Sequence, residues 1–344
     1  MKFIAYCTKG LEDIASKEII RVLKGSTILK LGTKRIIFEY EGEFDTISNL
    51  RTVDDISIFV EKIDLAKAHF LDSVVNVLGD INYNDYIELI KNYREINERE
   101  FSLTISVIHY KKFPRDTIKN ALAKKISENY KLKYLPKDHT NFDIRINIES
   151  NIAWIGIKLT PQSLFDRSYK INDRMGSLKP TIAAAMVDIA VGNQKDLKIV
   201  DNYCGSGAIL CEAFLKGNDV FGGDIHEAAV RSSIENLQNL EFKNIENIRV
   251  QDASETNWES KYFDCAISNL PWDKQIPVES ITELYENCIK EYKRIVKMNG
   301  KICLILSKPE LMEIIIDKHF PNAKIRSYPI GFLGQRPTIL LINL

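Results

Sequence analysis

From Lys198 onward, apolar runs of strand length alternate with stretches of helical period, which is the signature of a doubly wound α/β sheet. No other feature of the chain narrows its fold as much. Ligands of such sheets bind outside the carboxyl ends of the strands. The residues that close each strand are therefore the ones to read for chemistry.

Asp196 to Asp201 reads as the first of these strands and Ala208 to Leu215 as the helix after it. Between them, Gly205 and Gly207 let the backbone come close to a ligand. Nineteen residues past Gly205, the strand Asp219 to Gly223 ends in Asp224, whose carboxylate can accept both hydroxyls of a ribose. A third strand, Ile248 to Val250, leads to Gln251, Asp252 and Ala253, where Asp252 can take an adenine amino proton. A dinucleotide would call for a third glycine where Leu210 stands. S-adenosylmethionine carries no phosphate and needs an acid near its amino group (Asp201) and another at its ribose (Asp224). Methyl transfer is expected over hydride transfer.

The fourth strand, Phe263 to Ile267, runs into Ser268-Asn269-Leu270-Pro271-Trp272. A carboxamide, a proline-constrained turn and a large aromatic here suit a flat base with an exocyclic amine. The Asn269 oxygen and the Leu270 carbonyl can accept its two N–H bonds, and the Trp272 indole can stack on its ring. With both protons held, the amine lone pair is free to face an electrophile. Alone, this segment would read as a β-turn with a buried Trp. Its order behind Asp201, Asp224 and Asp252 favours a catalytic role.

At 344 residues, two or three domains are expected, and 45% hydrophobic with 27% charged residues is ordinary for a globular protein. The six cysteines are scattered, with no C-x-x-C pair and no nearby His cluster, so neither a metal site nor a disulfide framework is expected. No signal peptide or membrane span is legible, and a cytoplasmic protein without membrane contact, acting as a monomer, is expected. Residues 1–60 read as a small α+β segment with the flavour of a split βαβ. Residues 61–165 read as a second domain, 166–180 as a polar linker, and 181–344 as the doubly wound domain.

Net charge is zero, but between His109 and Lys137 nine lysines and arginines face two acids. Lys111, Lys112, Arg115, Lys119, Lys124, Lys125, Lys131 and Lys133 are candidates for contact with a phosphate backbone, against the plainer reading of a solvated helix face. Helical spacing over Arg115 to Tyr130 sets Lys124 opposite the stripe Ile118, Leu122 and Ile126.

These residues resemble the class I, Rossmann-type methyltransferases that modify exocyclic amines. Asp201 to Ala213 is similar to the D-P-F-C-G-S-G-T-I-x-I-E-A stretch of RNA guanine-N2 methyltransferases. Gly156 to Thr160, Leu164 to Tyr169 and Leu178 to Ala183 resemble the junction of a THUMP domain with its methyltransferase, and Gly10-Leu11-Glu12 the ferredoxin-like start of the same proteins. The resemblance implies a THUMP-containing tRNA guanine-N2 methyltransferase that grips the acceptor end and 3′ tail and forms N2-methylguanosine in the acceptor stem, at about position 6. It implies that Asp201, Tyr203, Cys204, Gly205, Ser206, Gly207, Asp224, Ile225, Asp252, Ala253 and Thr181 hold S-adenosylmethionine, while Asn269, Leu270, Pro271 and Trp272 form the catalytic motif. Leu270, Asp273 and Asn202 depart from the family's usual residues. Another base amine, such as adenine N6, a protein glutamine amide, or a non-catalytic RNA-binding role are the competing expectations.

Overall fold

The computed structural model describes residues 1–136, 142–174, 176–272, 281–332 and 334–344; Lys137 and Asp273 lie outside them. The chain divides into two compact units. One comprises Met1–Tyr6 and Ile19–Leu164, the other Cys7–Glu18 and Phe165–Leu344.

The first unit contains β1 (Lys2–Tyr6), β2 (Thr27–Gly32), β3 (Arg35–Glu39), β4 (Asp55–Asp64), β5 (Glu100–Ile108), β6 (Lys133–Tyr134), β7 (Phe142–Glu149) and β8 (Ile152–Lys158). They form one sheet in the order β2-β3-β1-β4-β8-β7-β5-β6. The expected boundary at residue 60 therefore falls inside a strand. β4 pairs with β1 through Asp55–Ile58 and with β8 through Ser57–Asp64, so residues 1–60 and 61–165 share one sheet rather than forming two domains. The β7–β8 hairpin turns at Ser150 (φ 56°). The basic helix Arg115–Tyr130 buries Ile118, Leu122 and Ile126 as its spacing requires.

The second unit is wound on β9 (Lys198–Asp201), β10 (Asp219–Asp224), β11 (Ile248–Val250), β12 (Phe263–Asn269), β13 (Val296–Leu306), β14 (Lys324–Pro329) and β15 (Thr338–Asn343). Their order is β11-β10-β9-β12-β13-β15-β14, with β9 to β13 parallel and β15 antiparallel to both neighbours. Successive strand residues go to opposite layers. Ile199, Cys265, Ile267, Cys303 and Ile305 join Leu210, Met186 and Leu237 on one face. Val200, Ala266, Ile302 and Leu304 join Tyr285, Ile289 and Met312 on the other. Sequence order reverses between β9 and β12, which opens a crevice at their carboxyl ends. All six cysteines are buried and free, acting as small core residues. No helix among the described residues is long and apolar enough to cross a membrane.

Candidate active site

A cavity of about 730 Å³ lies at that crevice. Its walls include Asp201, Tyr203, Cys204, Gly205 and Ser206 after β9, Asp224 and Ile225 after β10, Asp252 and Ala253 after β11, and Asn269 to Trp272 after β12. The strand-end logic thus brings nearly every expected site residue to one place. Gly207 and Thr181 are the exceptions: neither lines the cavity, and Thr181 is 1% exposed in the helix Pro180–Val191.

The loop after β9 is shaped by its glycines. Gly205 (φ 54°) and Gly207 (φ 80°) both take the left-handed backbone. A Cβ on Gly207 would lie 2.4 Å from Ser233 Oγ, which holds the helix Glu227–Gln238 against the loop. Leu210, where a dinucleotide fold would place its third glycine, packs instead against Gly222 of β10, whose own Cβ would come within 2.6 Å of it. Close helix–strand packing is kept with the small and large partners exchanged.

Asp201 is 1% exposed and accepts the Tyr203 N–H (3.0 Å) and the Ser268 hydroxyl (2.6 Å) through Oδ1. Ser268 Oγ in turn lies 2.6 Å from Tyr292 OH. Burial pushes the Asp201 carboxyl up to about 7 against the pull of those two hydrogen bonds, and the Asp224 charge adds to the rise. Among the described residues this buried carboxylate on the cavity wall is in no ion pair. Asp224 accepts Gly205 N–H through Oδ2 (3.0 Å) and His226 N–H through Oδ1 (2.9 Å), and each oxygen keeps a second lone pair for a diol. Asp252 Oδ1 accepts the Ser254 N–H and hydroxyl, which hold its carboxyl below the ordinary range. Ile225, 63% exposed, gives the cavity an apolar plate.

Asn269 closes β12. Its Nδ2 donates to the Gly176 carbonyl (3.4 Å), and its buried Oδ1 has no partner among the described residues. The Leu270 side chain is fully buried and its N–H donates to the Ile305 carbonyl, which pins the turn to β13. Trp272 differs from expectation. Its indole is 3% exposed, sits within the apolar layer and meets Phe332 edge-on at 90°. It is a cavity wall, not an open stacking plate.

Sequence reasoning missed a whole wall. Arg174, Gly176, Ser177 and Leu178, read as linker, line the cavity, as do His226, Ser254, Glu283, Leu284 and Asn287. The linker is fastened down as a strap. Asn236 Oδ1 accepts the N–H groups of Ile171 and Asn172, while its Nδ2 donates to the Asn172 and Ser206 carbonyls. Ser177 Oγ lies 2.9 Å from Ser206 Oγ. Buried Glu212 receives Arg167 Nε and Tyr169 OH. These partners lie tens of residues away, so no local signal marks them.

In the first unit, the basic candidates separate. Lys112 Nζ donates to the carbonyls of Leu65, Ala66 and Ala68, and Lys125 is held by Asn76 and Asp80; both act as structural ties. Arg115, Lys124 and Lys133 meet Asp116, Glu128 and Glu100 at the surface, pairs weak enough to exchange for phosphate. Lys111, Lys119 and Lys131 carry no ion pair among the described residues.

Comparison with known proteins agrees with this geometry. Residues 167–334 match the family described as RMKL-like, methyltransferase domain. The tRNA (guanine(10)-N2)-dimethyltransferase of Methanothermobacter thermautotrophicus is 31% identical over 147 residues, 42% of this chain and 43% of that one. The tRNA (guanine(6)-N2)-methyltransferase of Archaeoglobus fulgidus is 20% identical over 346 residues, 90% of this chain and 83% of that one. Several of the curated relatives are thus matched over less than two thirds of their own length, the first over 43%. Among solved structures, TrmN from Thermus thermophilus superposes with a TM-score of 0.80 at 18% identity, over 99% of each chain, which establishes the fold. Residues 167–334 form a methyltransferase domain of the RMKL-like family.

Proposed function

We propose that this chain binds S-adenosylmethionine in the cavity and methylates the exocyclic N2 of a guanosine in tRNA, within the acceptor stem near position 6. The observation that carries the reading is Asn269. Its amide is oriented by the Gly176 carbonyl, its buried oxygen has no partner among the described residues, and the residue lines a cavity whose other strand ends suit a cationic nucleoside. When bound, S-adenosylmethionine supplies an electrophilic methyl group. Asp201 would hold its ammonium, Asp224 its ribose hydroxyls, and Asp252 with Ile225 its adenine. Asn269 Oδ1 and the Leu270 carbonyl would accept the two amine protons and so aim the nitrogen lone pair. A carboxamide is not a base, so the motif acts by orientation, and a paired guanosine must first be extruded at about a few kcal/mol.

Two relatives named for guanine-N2 chemistry support the base, and their coverage favours the position. The one named for position 6 aligns with 90% of this chain, the one named for position 10 with 42%. The setting we propose is cytosolic, with the chain acting as a monomer. Nucleoside mass spectrometry of tRNA treated with this chain and labelled S-adenosylmethionine is expected to show labelled N2-methylguanosine mapping to the acceptor stem. Labelled N6-methyladenosine, or no label, would overturn the proposal.

The first unit is proposed as a THUMP-type RNA-binding domain that holds the acceptor stem and 3′ end through Lys111, Lys119 and Lys131. Replacing all three by alanine should weaken tRNA binding and reduce the slope of log K against log salt by about 2 to 3 units. A variant with the same slope as the native chain would leave those lysines merely solvated.

A further inference from the structure

Two buried hydroxyls stand in series on Asp201, and the methyl transfer proposed above uses neither. Ser268 Oγ donates to Asp201 Oδ1 (2.6 Å) and lies 2.6 Å from the OH of Tyr292, on the helix Ile281–Ile295. A serine hydroxyl has one proton. Spent on Asp201, it leaves Ser268 as the acceptor from Tyr292, so the donors run one way, from Tyr292 to Ser268 to Asp201. Burial pushes the Tyr292 hydroxyl well above its usual range, and it keeps its proton through neutral pH. Asp201 Oδ1 also accepts the Tyr203 N–H (3.0 Å). With both lone pairs of Oδ1 so occupied, a proton and a ligand cation compete for Oδ2.

We propose that Ser268 and Tyr292 are positioning residues for the methyl donor, a one-way relay of hydroxyls that favours the ionised form of Asp201, the form an ammonium needs. This role rests on the S-adenosylmethionine reading above. The other groups facing Asp201 do not supply it. Asp224 brings a second negative charge. Tyr203 and Cys204 of the loop after β9 and Cys288 of the helix Ile281–Ile295 are pushed by burial well above their usual ranges and stay neutral. Hydrogen bonds to an ionised group are the strong ones, and more so out of water. Strand alternation sets Ser268 on the face of β12 opposite to Asn269, which separates the relay from the acceptor motif.

Calorimetric titration with S-adenosylmethionine at two pH values tests the relay. Ser268→Ala should bind about tenfold more weakly than the native chain at pH 6 and within about twofold of it at pH 8, because losing the donor raises the Asp201 midpoint by about one pH unit. Comparing proteins at one pH cancels the ionisation of the ligand's own amine. Tyr292→Phe should move the profile the same way by less, an arm that stands even if Ser268→Ala fails to fold. The double variant should match Ser268→Ala, since Tyr292 acts through Ser268. 5′-Methylthioadenosine, which lacks the amino-acid end of the donor, should bind all four proteins alike at both pH values. A native profile in either single variant overturns the relay alone. So does a loss equal at both pH values or shared by 5′-methylthioadenosine, which would make the hydroxyls packing groups. A native chain that does not bind S-adenosylmethionine overturns the donor reading and the relay with it.

Discussion

Asn269→Ala is expected to lower kcat by about 10²–10³-fold while leaving the S-adenosylmethionine dissociation constant within about twofold. The asymmetry follows from where the side chain is anchored. Its Nδ2 is tied to the Gly176 carbonyl of the strap, and the residue lines the cavity at the carboxyl end of β12. The groups suited to the cofactor, Asp201, Asp224 and Asp252, hang from other strands. Alanine removes the acceptor that aims the amine and leaves those strands untouched. Single-turnover kinetics together with calorimetry separate the two effects. A much raised cofactor dissociation constant, with normal turnover at saturation, would reassign Asn269 to the donor side.

The second large effect is a pH dependence of donor binding. Burial pushes the Asp201 carboxyl up to about 7, with the Asp224 charge adding to the rise and the hydrogen bonds from Ser268 and Tyr203 pulling the other way. A raised carboxyl means that the folded protein binds this proton more tightly than the unfolded chain. That contribution to stability is present at low pH and is lost as pH rises through about 7. A cationic ligand acts in the opposite sense, since only the ionised carboxylate attracts it. Its affinity should rise about tenfold between pH 5.5 and pH 7.0. That window keeps the ligand α-amino group, with its ordinary value of about 7.7–8.0, mostly charged. Calorimetry should also register proton release on binding. Asp201→Asn should bind more weakly and with a flat profile. Equal affinity of the native chain at both ends of the window would show that Asp201 is not the counter-ion.

The catalytic half was legible because its strands carry apolar residues to both faces and its polar residues gather at their ends. Asp201, Asp224, Asp252 and Asn269 could be placed by counting along the chain, since each closes a strand and parallel strands end together. The rest depended on partners far away in sequence. The strap read as linker because Asn172 and Ser177 are ordinary turn residues until Asn236 and Ser206 are seen beneath them. Trp272 read as a plate because nothing local shows Phe332 against it. Lys112 and Lys125 counted as free charges because the carbonyls and acids that hold them lie in residues 65–80. The helices Leu71–Gly79 and Tyr83–Lys91 were lost in a polar stretch whose few buried positions are too short a pattern to stand out.

Residues 7–18 group with the carboxyl-terminal unit, and Leu11 and Ile14 are part of its apolar layer. The transferase half is therefore encoded in two pieces, with most of the other unit spliced between them. A single crossover in the gene cannot exchange one half for a homologue's without stripping that layer. Shuffling this architecture requires paired breakpoints, which ties the inheritance of the first unit to that of the second.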